Sequence, residues 1–186
     1  MATTLKTTPP CVAIDASVLI ALCAREPDKL ATAEGEMERY AREGYEYYAP
    51  GVILAETLYV LCGKLQDSVL SASDHAHAIE DLCDYMAIIN GPLNGDGSLL
   101  VRAEQIRSGY GCSRSADGIY IALAEDLAAR GTAELVTFDT GMRNQVAANA
   151  PTVTVRLLPT LPRVSAIRPP SPPPNLPPSP NPTTTP

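Results

Sequence analysis

The chain has 186 residues, a formal net charge of −7, no Trp and a single Phe. Its C-terminal end is dense in Pro, which leaves roughly 160 residues for one domain with a core of Leu, Ile, Val and Ala. The acidic balance argues against stable nucleic-acid binding through a basic surface, although an ion held by carboxylates supplies positive charge that the count omits.

Cys11 to Ile14 (CVAI) is short and apolar and ends at Asp15, as a buried strand does. Ser17 to Ala24 predicts a short helix that ends near Glu26-Pro27. Asp28 is placed to cap a second helix to about Arg42, stopped by Gly44. Tyr45 to Ala49 is a second strand, and Pro50 opens an amphipathic helix that reaches about Leu65. Ser73 caps the next helix, to about Tyr85, and Met86 to Ile89 (MAII) is a third short strand closed by the turn Asn90-Gly91-Pro92. Asn94 to Gly97 is a loop, and Leu99 to Tyr110 is a helix ended by Gly111. Ser113 or Ser115 caps a strong helix from about Ala116 to Ala129, ended by Gly131. Glu134 to Phe138 (ELVTF) is a fourth strand that runs into Asp139; a short helix follows, and Thr152 to Leu157 (TVTVRL) is a fifth strand.

Short apolar strands alternating with helices predict an α/β domain over residues 11–158 with a largely parallel sheet. Residues 1–10 form an extension before it, with one Lys and no long apolar run, so no signal peptide is expected there. Residues 159–186 form a tail; Pro169 to Pro186 is mostly Pro, Ser, Thr and Asn and cannot bury enough to fold. No apolar run approaches the roughly 18 residues that cross a bilayer. The five cysteines make no C-x-x-C pair, and Cys23, Cys62 and Cys83 fall in apolar helical patterns. They are expected to be reduced and structural, in a cytoplasmic protein.

Four carboxylates sit where a predicted strand ends or a predicted helix begins: Asp15, Glu56, Asp117 and Asp139. In a parallel sheet such positions open onto the carboxyl edge, where ligands bind. Each has an ordinary explanation taken alone. Asp15 can cap the next helix, Glu56 can sit on a solvated helix face, Asp117 suits a helix first turn, and Asp139 can begin a turn. Together they are explained by one site, because crowded carboxylates are tolerated when protons or a metal ion neutralise them. Mg²⁺ or Mn²⁺ is the hard cation that takes such oxygens, which points to metal-dependent cleavage of phosphodiester bonds. The hydroxyls of Ser17, Ser115 and Thr137, each two residues from an acid, are placed to orient the carboxylates or bind metal waters, with helix capping as the alternative.

The segments VAIDASVLIAL (12–22), APGVILAETLYVL (49–61), SRSADGIYIALAEDLA (113–128) and LVTFDTGMRNQV (135–146) resemble the four acidic motifs of PIN-domain ribonucleases, most of all the VapC-type toxins of prokaryotic toxin–antitoxin pairs. The resemblance covers about residues 11 to 158. It sets the family's acids on Asp15, Glu56, Asp117 and Asp139, and its small hydroxyl residues on Ser17 and Thr137. It implies a three-layer α/β/α fold with a mostly parallel sheet of about five strands, and Mg²⁺- or Mn²⁺-dependent hydrolysis of RNA. It also implies a cognate antitoxin as partner, in a homodimer or a toxin–antitoxin hetero-oligomer. The Pro-rich tail is not part of that pattern.

Other constellations are weaker. Arg114 and Arg143, near the acids, are candidates for phosphate contacts. His75 and His77 are two apart on a helix and do not share a face. No phosphate loop, nucleophile elbow or zinc spacing is present. Two rival functions remain: a PIN-fold interaction protein, and a phosphotransfer enzyme of another α/β family with Asp15 as nucleophile. Against the second, haloacid-type phosphatases place another Asp two residues on, where this chain has Ser17.

Overall fold

The computed structural model describes residues 8–112 and 116–162. Their strands are β1 (Cys11–Ile14), β2 (Glu46–Tyr48), β3 (Ile89–Asn90), β4 (Ala133–Thr137) and β5 (Thr154–Leu157). The helices are α1 (Ala16–Cys23), α2 (Leu30–Arg42), α3 (Val52–Gln66), α4 (Ala72–Ile88), α5 (Leu100–Gly109), α6 (Asp117–Ala128) and α7 (Thr140–Asn149), with a 3₁₀ turn at Asp96–Leu99. The strands form one sheet in the order β3-β2-β1-β4-β5, and every pairing is parallel. Val12 pairs with Tyr47 on one side and Glu134 on the other.

This order reverses direction at β1. From β1 the chain moves outward to β2 and β3, then returns to β4 and β5 on the other side. Right-handed crossovers therefore put α1–α4 on one face and α5–α7 on the other. The packing agrees, since α1 touches α2, α3 and α4, and α6 touches α5, α7, β1 and β4. Both faces of the central strands are thus covered, which is why β1 and β4 read as apolar runs. Val12, Ala13, Ile14 and Leu135 are fully buried. The gap between β1 and β4 is the switch point of the sheet, where α/β proteins bind ligands.

Within the α5–α7 layer one crossing is tight. A Cβ on Gly118 would lie 2.6 Å from the backbone oxygen of Ala103, so α5 and α6 meet there through backbone. Gly118→Ala is expected to destabilise the fold by about 1–3 kcal/mol, as overpacking does. Urea unfolding measures it, and an unchanged midpoint would show that α5 moves aside freely.

Several element boundaries differ from the sequence expectations. Met86 to Ile88 are the last turn of α4, leaving only Ile89–Asn90 as β3. A four-residue apolar run does not by itself distinguish strand from buried helix. The α4 cap is Ser71, not Ser73. Its side chain accepts from the Asp74 N–H while the Asp74 side chain bonds the Ser71 N–H, a complete capping box. Lys29, not Asp28, stands at the N-cap of α2 and makes no capping bond. The loop at Asn94 to Gly97 runs into the 3₁₀ turn, and both Asp96 carboxylate oxygens accept from the Gly51 N–H at 3.1 Å, anchoring the start of α3. The Ser113 or Ser115 cap and the Pro169–Pro186 segment lie outside the described residues. Cys23 is buried as expected, but Cys62 and Cys83 are exposed; all five cysteines are free.

Candidate active site

Asp15 leaves β1 at the switch point and is the N-cap of α1. Its side chain is 6% exposed. Among the described residues its donors converge on one oxygen. Oδ2 accepts from the Ser17 N–H at 3.3 Å, from the Ser17 hydroxyl and from the Thr137 hydroxyl at 2.8 Å. Among the described residues no donor reaches Oδ1. The Ser17 Oγ in turn accepts from the Phe138 N–H at 3.0 Å, and the Thr137 Oγ1 from the Asp139 N–H at 2.8 Å. The two hydroxyls therefore stitch the end of β1 to the end of β4.

The next two acids arrive on helices. Glu56, in the second turn of α3, accepts from the Tyr120 hydroxyl at 2.6 Å. Asp117, the first residue of α6, accepts on Oδ2 from the Gln145 side-chain amide. Tyr120 stands one turn after Asp117 on α6 and is 1% exposed. Its phenol is held far above the ordinary range, first by burial, then by the bond to Glu56, and further by the charges of Glu56, Asp15 and Asp117.

Asp139 behaves differently. It is the N-cap of α7, and its Oδ1 accepts from the Gly141 N–H at 2.6 Å. That is the turn-starting role open to it from sequence. Arg143 is exposed on α7 and its guanidinium donates to Asn144 at 3.4 Å. Arg114 and Ser115 lie outside the described residues. Tyr120 and Gln145 were missed by sequence reasoning. Their positions carried a signal: Tyr120 is three residues after Asp117 and hence on its helix face, and Gln145 stands between the buried Met142 and Val146.

The electrostatics of Asp15 contrast with those of the other buried acid, Glu36. Burial alone would raise the Glu36 carboxyl, but hydrogen bonds and charge from Arg39 and Arg156 hold it below the usual range. Arg39 lies at 2.6 Å and Arg156 at 3.0 Å. Asp15 has hydroxyl and amide donors, and among the described residues no Lys or Arg forms an ion pair with it. Its carboxyl is pushed up to about 6, chiefly by burial; bonds from Ser17 and Thr137 pull it back, and the charge of Asp117 pushes it further.

The side chains as they stand do not form a closed ligand set: among the described residues no three His, Cys, Asp or Glu are gathered tightly enough to hold a metal ion. The donor chemistry fits one nonetheless. The acids offer hard carboxylate oxygens, the buried one carries an unfavourable charge, and among the described residues its Oδ1 has no donor. Asp15, Glu56 and Asp117 are the residues that would hold it.

A buried acid at the switch point of a parallel α/β/α sheet, with further carboxylates brought in by α3 and α6, defines an acidic-pocket protein of the PIN-like class. The chain belongs to the PIN domain family, whose model matches residues 12–147. PIN domains are generally nucleases, and they typically bind divalent metals. Comparison with curated proteins finds no match. Among solved structures the chain is similar to PAE2754 from Pyrobaculum aerophilum, at 19% identity and a TM-score of 0.43, over 79% of this chain and 83% of that one.

Proposed function

We propose that this protein is a Mg²⁺- or Mn²⁺-dependent endoribonuclease and the toxin of a type II toxin–antitoxin pair. The observation that carries the nuclease part is the family match over residues 12–147, with Asp15 buried at the end of β1 and Glu56 tied by the Tyr120 hydroxyl to α6, the helix that Asp117 begins. With Asp15 disfavoured as an anion in the metal-free pocket, a divalent cation is the partner that stabilises all three. Bound there, such a cation supplies Lewis acidity, an activated water and offset of phosphate charge. The chain's own residues do the positioning. Ser17 and Thr137 hold Asp15 by Oδ2 and leave Oδ1 for the pocket. Tyr120 fixes Glu56 from below. Burial keeps bulk water from competing for Asp15, while Glu56 and Asp117 are half-buried.

The toxin part rests on the family resemblance and on α3. Leu54, Leu58 and Tyr59 are exposed on that helix, Tyr59 by 82%, and such an apolar stripe suits a cognate antitoxin or a second copy of the chain. Three exposed, unpaired thiols, Cys62, Cys83 and Cys112, suit a reducing compartment, and we take the cytoplasm as the site of action. No helix among the described residues is long and apolar enough to cross a membrane.

The same exposed stripe favours a second reading, a PIN-fold docking protein without nuclease activity. One experiment separates them. The purified chain, incubated with structured and single-stranded RNA, is expected to cleave in millimolar Mn²⁺ or Mg²⁺ and to stop in EDTA. Absence of any Mn²⁺ binding by titration would leave only the docking reading.

A further inference from the structure

The segment from Thr137 to Gln145 touches every acid of the pocket except Glu56. Thr137 donates to Asp15, the Asp139 side chain caps α7, and Gln145, two turns into α7, donates to Asp117. Gln145 is 3% exposed, and its Oε1 is buried with no hydrogen-bond partner among the described residues. A buried amide left half satisfied is costly and wants a reason. Its orientation is set by charge: turned the other way, the carbonyl oxygen would face the Asp117 carboxylate and the NH₂ group would be orphaned. The amide therefore gives its donor to Asp117 at the expense of its acceptor. Asp139, meanwhile, spends one carboxylate oxygen on the Gly141 N–H, a bond that Asn makes equally well at an N-cap.

We infer that β4 and α7 are the frame of the metal pocket rather than a wall of it: Gln145 is a positioning residue that fixes the Asp117 carboxylate, and Asp139 holds α7, and with it Gln145, rather than a metal ion. This rests on the nuclease reading and divides the four acids into three ligands and one anchor. Asp139 is exposed while Asp15 is buried, as suits an anchor at the rim. Partners of this kind change metal affinity by about 10–100-fold when removed.

The test is Mn²⁺ titration of the EDTA-stripped full chain, with melting temperature in EDTA as a separate readout. Gln145→Met and Gln145→Leu both remove the donor while filling the space, so that one remains if the other fails to fold. Each is expected to raise the Mn²⁺ dissociation constant about tenfold with a melting temperature close to the parent's. RNA cleavage by either is expected to recover when Mn²⁺ is raised in proportion, with KM for RNA unchanged. Asp139→Asn is expected to bind Mn²⁺ within about twofold of the parent, while Asp117→Asn loses binding. Parental affinity in both Gln145 variants overturns the inference alone. So does an Asp139→Asn chain that loses Mn²⁺ as Asp117→Asn does. A parent that binds no Mn²⁺ removes the nuclease reading and the inference together.

Discussion

Asp15→Ala, Glu56→Gln and Asp117→Asn are each expected to lower metal-dependent RNA cleavage by at least about 100-fold. Removing a hydrogen-bond partner of a metal ligand already costs about 10–100-fold, and these changes remove the ligand itself. The three differ in what else they disturb. Glu56→Gln keeps an oxygen for the Tyr120 hydroxyl, which Glu56 now accepts at 2.6 Å, so its loss isolates charge. Asp117→Asn sets one amide against another at Gln145. Asp15→Ala also strips Ser17 and Thr137 of their shared acceptor, and is expected to be the most damaging. Thr137→Val, which keeps shape and drops the hydroxyl, is expected to cost about tenfold. In cells, expression of the parent should slow growth and expression of Asp15→Ala should not. Cleavage that continues unchanged in all three acid variants would assign it to a contaminant and refute the proposal.

The route from sequence to site ran through strand ends. Asp15 and Asp139 follow apolar runs, so their place at the carboxyl edge was legible once the sheet was taken as parallel. Strand order was not legible, because pairing depends on crossovers between elements far apart in the chain. It is that order, β1 beside β4, that makes Asp15 and Thr137 neighbours. Exposure on α3 was also beyond the pattern. The sequence predicts an amphipathic helix there, yet its apolar residues divide: Ile53 and Leu61 face the core while Leu54, Leu58, Tyr59 and Cys62 are exposed. The length of the Met86–Ile89 run suits either a strand or a helix end; the capping box at Ser71, which starts α4, marks it as the end of that helix. Gln145 is not legible for a different reason: a polar residue on an inward face signals a partner only when the opposing helix is known.

The pocket is also expected to oppose folding when no metal is bound. The Asp15 carboxyl is raised from 3.8 to about 6 in the folded protein, so between those values the native state binds more protons than the unfolded chain. Stability then falls as pH rises through that window. The full penalty is present above about pH 6 and absent below about pH 4. A shift of that size corresponds to about 3 kcal/mol, at 1.36 kcal/mol per pH unit. In EDTA at pH 7.5, Asp15→Asn is therefore expected to be more stable than the parent by about 1–3 kcal/mol. Asn removes the buried charge, still caps α1, and still offers an oxygen to Ser17 and Thr137. At about 2–4 °C per kcal/mol the gain is visible in a melting curve. At pH 4 the two proteins are expected to melt together. Saturating Mn²⁺ reverses the order, because a ligand at 1,000 times its dissociation constant adds about 4.1 kcal/mol to the chain that binds it, and Asp15→Asn has lost a ligand. An Asp15→Asn chain that melts below the parent in EDTA at pH 7.5 would show that the charged Asp15 carboxylate stabilises the fold, and would remove the electrostatic argument for a cation at this edge of the sheet.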